Sequence, residues 1–301
     1  MSILVNSETR VLVQGITGRE AADFTRESIR YGTRVVAGVT PGKGGSVVHG
    51  VPVYDSVRAA MRDSPCTATV ISVPAPFAHD AAEEALANGL RLVVVLTERI
   101  PRKDVVSILE TAQTVGATVI GPNTLGVISP GQARVGMCGG AADSIRIAYT
   151  SGHVGVMSRS GGMMTEIASL LTHSGIGQST CVSIGGDAVV GSTFLDLLPK
   201  FEADEETQAL VLFCEPGGSM EERLAEHLVR HKTRLPIFAF VAGRFTDRNQ
   251  GLRFGHAAVI VEGTSGSPRG KIGALTRAGV TVAEKLSQIP HLVKTGLANR
   301  S

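Results

Sequence analysis

Short runs of consecutive apolar, largely β-branched residues alternate along this chain with longer segments whose apolar positions recur at helical spacing. A run that is apolar on both of its faces reads as a strand buried on both sides. The alternation therefore predicts an α/β protein with parallel sheets covered by helices. In the first half, strands are predicted over 10–14, 34–39, 68–73, 92–96 and 117–120, and helices over 19–31, 56–62, 78–87 and 103–115. The pattern pauses across the glycine-rich passage ISPGQARVGMCGGAADS, which has no periodicity and reads as a boundary near residue 145. It resumes with strands over 154–158, 179–184, 209–214, 237–242 and 259–262, separated by helices over 163–173, 192–201, 220–231 and 268–277. The expectation is one domain over 1–145 and a second over 146–301.

Length and charge fit that division. A chain of 301 residues is long enough for two full cores at about 150 residues per domain. The formal charge of +2 supplies no whole-chain field of the kind nucleic acid or an anionic membrane needs, so neither is expected as a partner and any anion must be held locally. Cys66, Cys138, Cys181 and Cys214 lie far apart with no CxxC pair, so neither a disulfide framework nor a metal site is predicted. The start MSILVNSETR has no signal-peptide pattern, and the longest apolar run, 92–96, is far below the ~20 residues of a membrane span. A cytoplasmic protein is expected.

Four passages could carry chemistry. Gly15, Ile16, Thr17 and Gly18 sit between the predicted strand RVLVQ and a predicted helix, where backbone N–H groups reached through a close turn seat a phosphate. A plain strand-to-helix turn is the other reading. The passage is not the full dinucleotide fingerprint, and the acidic residue expected about 20 positions on is replaced by GVTPGKGG, which offers Lys43 as a cation among glycines. Pro74-Ala75-Pro76 follows a strand at its carboxyl end, and either walls a ligand or only stops the strand. In VGVMSRSGG, Ser160 is placed as the N-cap of a helix whose first-turn N–H groups, at Gly161 and Gly162, are open to an anion. A serine nucleophile elbow is rejected, because it needs glycine two residues before the serine and Ser158 stands there. Lastly, Glu215 and His256 each fall at or near a strand end in the second domain. Small neighbours, Gly255, Ala257 and Ala258, leave the imidazole uncovered, so a carboxylate holding one ring nitrogen would leave the other free to attack phosphorus. A structural histidine is the alternative.

Taken in order, MSILV, GVTPGKGG, VPAPF, LTERIP, IGPNTLGVISPG, VGVMSRSGG, GQSTCVSIGGD, FCEPGGS and GHAAVIVEG resemble the α subunit of succinyl-CoA synthetase and its relatives among the nucleoside-diphosphate-forming acyl-CoA synthetases. The likeness runs over nearly the whole chain, and GVTPGKGG and GQSTCVSIGGD are its most specific stretches. It implies an N-terminal Rossmann-type CoA-binding domain followed by a flavodoxin-like ligase domain. It also implies that Gly15, Thr17, Gly18, Arg19 and Glu20 form the CoA phosphate turn with Lys43, that Pro74 lies beside the adenine, and that Leu96, Thr97 and Glu98 run along the CoA. Asn123 falls where the thiol arrives, Ser160, Gly161 and Gly162 at the phosphoryl seat, and Thr165 at the substrate. His256 corresponds to the transiently phosphorylated histidine and Glu215 to the carboxylate that orients it. The implied partner is an ATP-grasp β subunit, in an αβ or α2β2 assembly, carrying ATP or GTP with magnesium.

Some positions depart from the family pattern. Gly162 replaces the threonine that ends the family's SRSGT, Thr165 replaces a tyrosine, Thr124-Leu125 replaces Cys-Pro, and 244–254 replaces a lysine-bearing loop before the histidine. The leading expectation is an active ligase for a di- or tricarboxylate such as succinate, malate or citrate, and changes near the acyl site with the histidine and glutamate kept imply that the acid is not succinate, or not succinate alone. Two rival expectations are a catalytically weak CoA-binding regulatory homologue and, from another class, a dinucleotide oxidoreductase.

Overall fold

In the computed structural model, residues 2–244 and 266–299 are described. The first sheet contains β1 (Arg10–Gln14), β2 (Arg34–Val39), β3 (Val47–Val48), β4 (Val51–Tyr54), β5 (Ala68–Ile71), β6 (Leu92–Val95) and β7 (Thr118–Ile120). Their order is β3-β4-β2-β1-β5-β6-β7, and every pairing is parallel except the β3–β4 hairpin at the edge. Helices α1 (Arg19–Tyr31), α2 (Val57–Asp63), α3 (Ala75–Ala87) and α4 (Arg102–Val115) make the crossovers. Strands β5 and β6 are buried at every residue, which is why their sequences are continuous apolar runs rather than alternating ones. From β1 the chain winds to β2 and β4 on one side, then to β5, β6 and β7 on the other, so winding reverses between β1 and β5. In an open α/β sheet that reversal leaves a crevice at the strands' carboxyl ends. The helix predicted to begin at 78 begins at Ala75, because Pro74 takes the cap and Pro76 sits in the first turn, where no N–H donor is needed.

The second sheet runs β14-β13-β12-β10-β11-β8-β9. Its members are β8 (Gly126–Ser129), β9 (Ala133–Gly136), β10 (Ser151–Ser158), β11 (Gln178–Ser183), β12 (Ala209–Cys214), β13 (Ile237–Val241) and β14 (Thr281–Ala283). Helices α5 (Ala142–Ala148), α6 (Gly161–His173), α7 (Phe194–Ala203), α8 (Met220–Arg230), α9 (Pro268–Arg277) and α10 (Ile289–Ala298) cover it. The five strands from β10 to β14 are parallel, and winding reverses between β10 and β12. The antiparallel β8–β9 hairpin joins this sheet through β11. The chain therefore changes sheets between β7 and β8, upstream of the passage that reads in sequence as the boundary near residue 145. The strand expected over 259–262 lies outside the described residues.

Two buried side chains tie the hairpin region to α1. Arg134 on β9 is 1% exposed. Its Nη2 donates to the Phe24 carbonyl at 2.9 Å, its Nη1 to the Cys138 and Gly140 carbonyls at 3.2 and 2.6 Å, and its Nε to Ser28 Oγ at 3.2 Å. Glu27 accepts the Ala142 N–H that opens α5 at 3.0 Å, and is flanked by Arg26 and Arg30, each at 3.0 Å. The Ala142 N–H, then the Arg26 and Arg30 guanidinium groups, hold the Glu27 carboxyl at about 2 against an ordinary 4.5. A depressed carboxylate pKa contributes stability that is fully present above the unfolded value and lost as pH falls through the folded one. Between pH 5 and 2.5 (about the window these two values set) thermal denaturation should therefore show a steeper fall in Tm for the wild type than for Glu27→Gln. Parallel curves would contradict the link.

Among the described residues no helix is long and apolar enough to cross a membrane, and no group of three or more His, Cys, Asp or Glu side chains could hold a metal ion.

Candidate active site

The carboxyl edge of the first sheet carries a cavity of about 600 Å³. Eight of the positions proposed from sequence for CoA line it: Gly18, Arg19 and Glu20 from the start of α1, Pro74 from the start of α3, Leu96, Thr97 and Glu98 after β6, and Asn123 after β7. Gly15, Thr17 and Lys43 are not in its lining. Gly15 follows β1 with φ +82°, and a β-carbon there would lie 2.3 Å from the Ser72 carbonyl oxygen at the end of β5. Glycine is what lets the turn pass through the sheet's crevice. Gly18 caps α1 without any side-chain hydrogen bond, so the first-turn N–H groups face the cavity mouth uncapped. Thr17 Oγ1 lies 3.2 Å from Thr40 Oγ1, and the turn that follows closes through Lys43 N donating to the Thr40 carbonyl at 3.0 Å. Lys43 is exposed, in the turn that Thr40 links to Thr17.

Other proposed residues are already engaged by the fold. Thr97 Oγ1 donates to the Val73 carbonyl at 2.7 Å, which joins the loops after β5 and β6. Asn123 donates from its backbone to the Thr97 carbonyl at 3.0 Å and from Nδ2 to Asp187 at 2.9 Å, so it bridges the two sheets. Glu98 is exposed, with the Arg99 guanidinium at 3.4 Å.

In the second sheet the reversal of winding falls between β10 and β12, whose ends carry Ser160 and Glu215. Ser160 caps α6, and its hydroxyl makes no capping hydrogen bond. Its backbone is instead fixed by Ser158, whose Oγ donates to the Ser160 carbonyl at 2.5 Å and accepts the Ser160 N–H at 3.1 Å. The first-turn N–H groups are left for an anion on the helix axis. A β-carbon on Gly161 would sit 2.2 Å from Leu125 Cγ, so glycine is required for Leu125 to seat against the helix start. Leu125 also lines the cavity on the first sheet. The inner end of that groove and the uncapped start of α6 therefore share one side chain.

One turn into α6, Thr165 Oγ1 lies 2.8 Å from the Tyr149 hydroxyl. Tyr149 is buried, and desolvation pushes its pKa well above the ordinary value, so it stays neutral. Among the described residues, nothing beyond α6's own backbone lies within 4 Å of the place a β-carbon on Gly162 would take. The four cysteines are all buried, and burial raises their thiols, Cys66 and Cys138 to about 11, so none supplies a thiolate nucleophile.

Glu215 follows β12 and is half-buried. His256 and positions 245–254 of the altered loop lie outside the described residues, whose edges are Arg244 and Gly266. Arg244 Nη2 donates to the Ala283 carbonyl at 2.8 Å. Leu125 carried a signal in sequence as a departure beside a GPN turn. Arg159 was visible only as a letter inside SRSGG, although its guanidinium reaches the Glu215 carbonyl at 3.0 Å. Tyr149 carried no sequence signal.

Comparison with known proteins assigns the chain to a CoA-binding domain followed by a ligase domain. Residues 6–99 match the family model for a CoA binding domain, and residues 151–295 that for a succinyl-CoA ligase like flavodoxin domain. The chain is 46% identical to the α subunit 1 of an ADP-forming succinate–CoA ligase from Archaeoglobus fulgidus, over 98% of each protein. It is 41% identical to a subunit of the ADP-forming sulfoacetate–CoA ligase of Bilophila wadsworthia, over 98% of this chain and 99% of that one. The chain belongs to the succinyl-CoA synthetase α-subunit family. Among solved structures, the ATP citrate lyase of Methanothrix soehngenii in complex with citrate and coenzyme A superposes with a TM-score of 0.87 at 26% identity, over 98% of this chain. That of Methanosaeta concilii with (3S)-citryl-CoA gives 0.92 at 24% identity over 99%, which shows the shared fold. The chain spans about half the length of these solved chains, 52% and 51%.

Proposed function

We propose that this chain is the α subunit of an ADP- or GDP-forming acid:CoA ligase, working with an ATP-grasp β subunit as αβ or α2β2. The observation that carries the reading is Leu125, which lines the groove on the first sheet and packs on Gly161 at the open start of α6. That contact brings the end of a CoA groove to an anion seat, as transfer of an acyl group from phosphate to a thiol requires.

The β subunit supplies the nucleotide with its magnesium. Neutral His256, with one ring nitrogen held by Glu215, attacks the terminal phosphorus as the nucleotide's bridging P–O bond breaks. The phosphoryl group passes from nitrogen to the carboxylate oxygen of the acid, and the CoA thiol then displaces phosphate with loss of its proton. Each step is a single displacement, and the Ser160 hydroxyl, which makes no capping hydrogen bond, together with the N–H groups at Gly161 and Gly162 stabilises the phosphoryl oxygens during transfer.

Space at Gly162 among the described residues and the hydroxyl pair Thr165–Tyr149 support a di- or tricarboxylate that is not succinate, or not succinate alone, with malate or citrate fitting better. Ligase subunits among the full-length relatives do not favour the regulatory alternative. A cytoplasmic location suits the chemistry.

Calorimetry tests the CoA site. The isolated chain is expected to bind CoA, and Lys43→Ala is expected to weaken binding about tenfold or more by removing a charged phosphate contact. Unchanged affinity in a folded variant contradicts the placement.

A further inference from the structure

The carboxyl ends of β10 and β12 are joined by charged side chains that solvent barely reaches. Arg159, 3% exposed, follows β10 directly. Its Nη1 donates to the Glu215 and Gly217 carbonyls, both at 3.0 Å, and lies 3.4 Å from Glu221 Oε1. Glu221, fully buried on α8, accepts from Lys271 Nζ, which is fully buried on α9. The same ammonium donates to the Gly218 carbonyl at 3.1 Å and to Glu222 Oε2 at 3.2 Å. Glu222 Oε1 in turn accepts the Gly266 N–H at 3.0 Å, and the Gly266 carbonyl accepts from Gly217 N at 2.8 Å. Three carbonyls of the turn that begins at Glu215, and the N–H of Gly266, thus end on this cluster, while the Gly266 carbonyl is held by the turn itself through Gly217 N. Gly266 is the described residue that follows the stretch containing His256.

We propose that Arg159, Lys271 and Glu222 are positioning residues for phosphoryl transfer to His256, fixing the Glu215 turn and the carboxyl end of the His256 stretch relative to each other. The inference rests on the function proposed above. Burying ions is a poor way to gain stability, since apolar residues of similar volume commonly do as well, and the Arg159 Nε is buried without a hydrogen-bond partner among the described residues. What the charges supply is direction. A planar guanidinium and an ammonium pin three backbone carbonyl oxygens and three carboxylate oxygens where packing alone would leave the turn free to shift, and displacements of about 1 Å are costly to a group transfer.

The test uses the complex with the β subunit and three variants, Arg159→Met, Lys271→Met and Glu222→Ala. Single-turnover phosphorylation of this chain and kcat are expected to fall between about tenfold and 100-fold, while KM for CoA and CoA affinity stay within about twofold, because the CoA groove lies on the other sheet. Arg159→Lys, which keeps the charge, is expected to recover part of the rate. Glu222→Ala leaves the buried Arg159, Glu221 and Lys271 in place, so it decides the matter if the other variants do not assemble. Wild-type phosphorylation rates in the assembled variants, or equal losses in phosphorylation and CoA affinity, overturn the inference. A wild-type complex that makes acyl-CoA without any phosphohistidine overturns instead the function on which it rests.

Discussion

A complex assembled with His256→Asn is expected to lose acyl-CoA formation by on the order of 1,000-fold or more, the scale seen when a nucleophile is removed from a group that acts as a unit. Asparagine keeps a polar side chain of comparable size but offers no nitrogen able to carry a phosphoryl group. The reaction then has no route through two displacements. CoA affinity should stay within about twofold, since the groove proposed for CoA is lined from the starts of α1 and α3 and the loops after β6 and β7, and the substitution alters none of those residues. Steady-state assay and calorimetry on the same preparation separate the two readouts. Turnover within about tenfold of wild type contradicts the role.

The second large effect is on stability. Replacing Arg134 by methionine keeps the length of a side chain that is 1% exposed, but removes the donors that satisfy the Phe24, Cys138 and Gly140 carbonyls. Desolvation pulls the Arg134 pKa below its ordinary value, which measures how little water reaches the group. Leaving these buried carbonyls short of donors costs about 1–3 kcal/mol each, which summed over the network is about 3–5 kcal/mol, or roughly 6–20 °C in Tm for a protein of this size. Because Arg134 joins a strand of the second sheet to α1 on the first, the loss should appear in the main unfolding transition. A shift below about 2 °C contradicts this reading of the network.

Much of the fold was legible because buried parallel strands write themselves as unbroken apolar runs. RVLVQ, LVVV and ALVLFC needed no other signal. The hairpin of β8 and β9 did not show: its strands, GVIS and ARVG, are four residues each, begin or end on glycine, and are buried throughout, so neither length nor alternation marked them. β14 is three residues long and was passed over for the same reason. At the site, Ser160 and Glu215 were legible because strand ends followed by glycines announce themselves locally. The partners that hold them were not. Arg159 and Glu221 are 62 residues apart, and Glu221 and Lys271 are 50 apart, so only the convergence of strand ends at the reversal between β10 and β12 brings them together.

The claim that this chain relays a phosphoryl group is tested most directly by incubating the complex with γ-labelled nucleotide and magnesium and analysing the label on this chain. The account predicts an acid-labile, base-stable phosphoryl group on His256, discharged when acid and CoA are added. Acyl-CoA formation by a complex in which this chain never takes up label would contradict it.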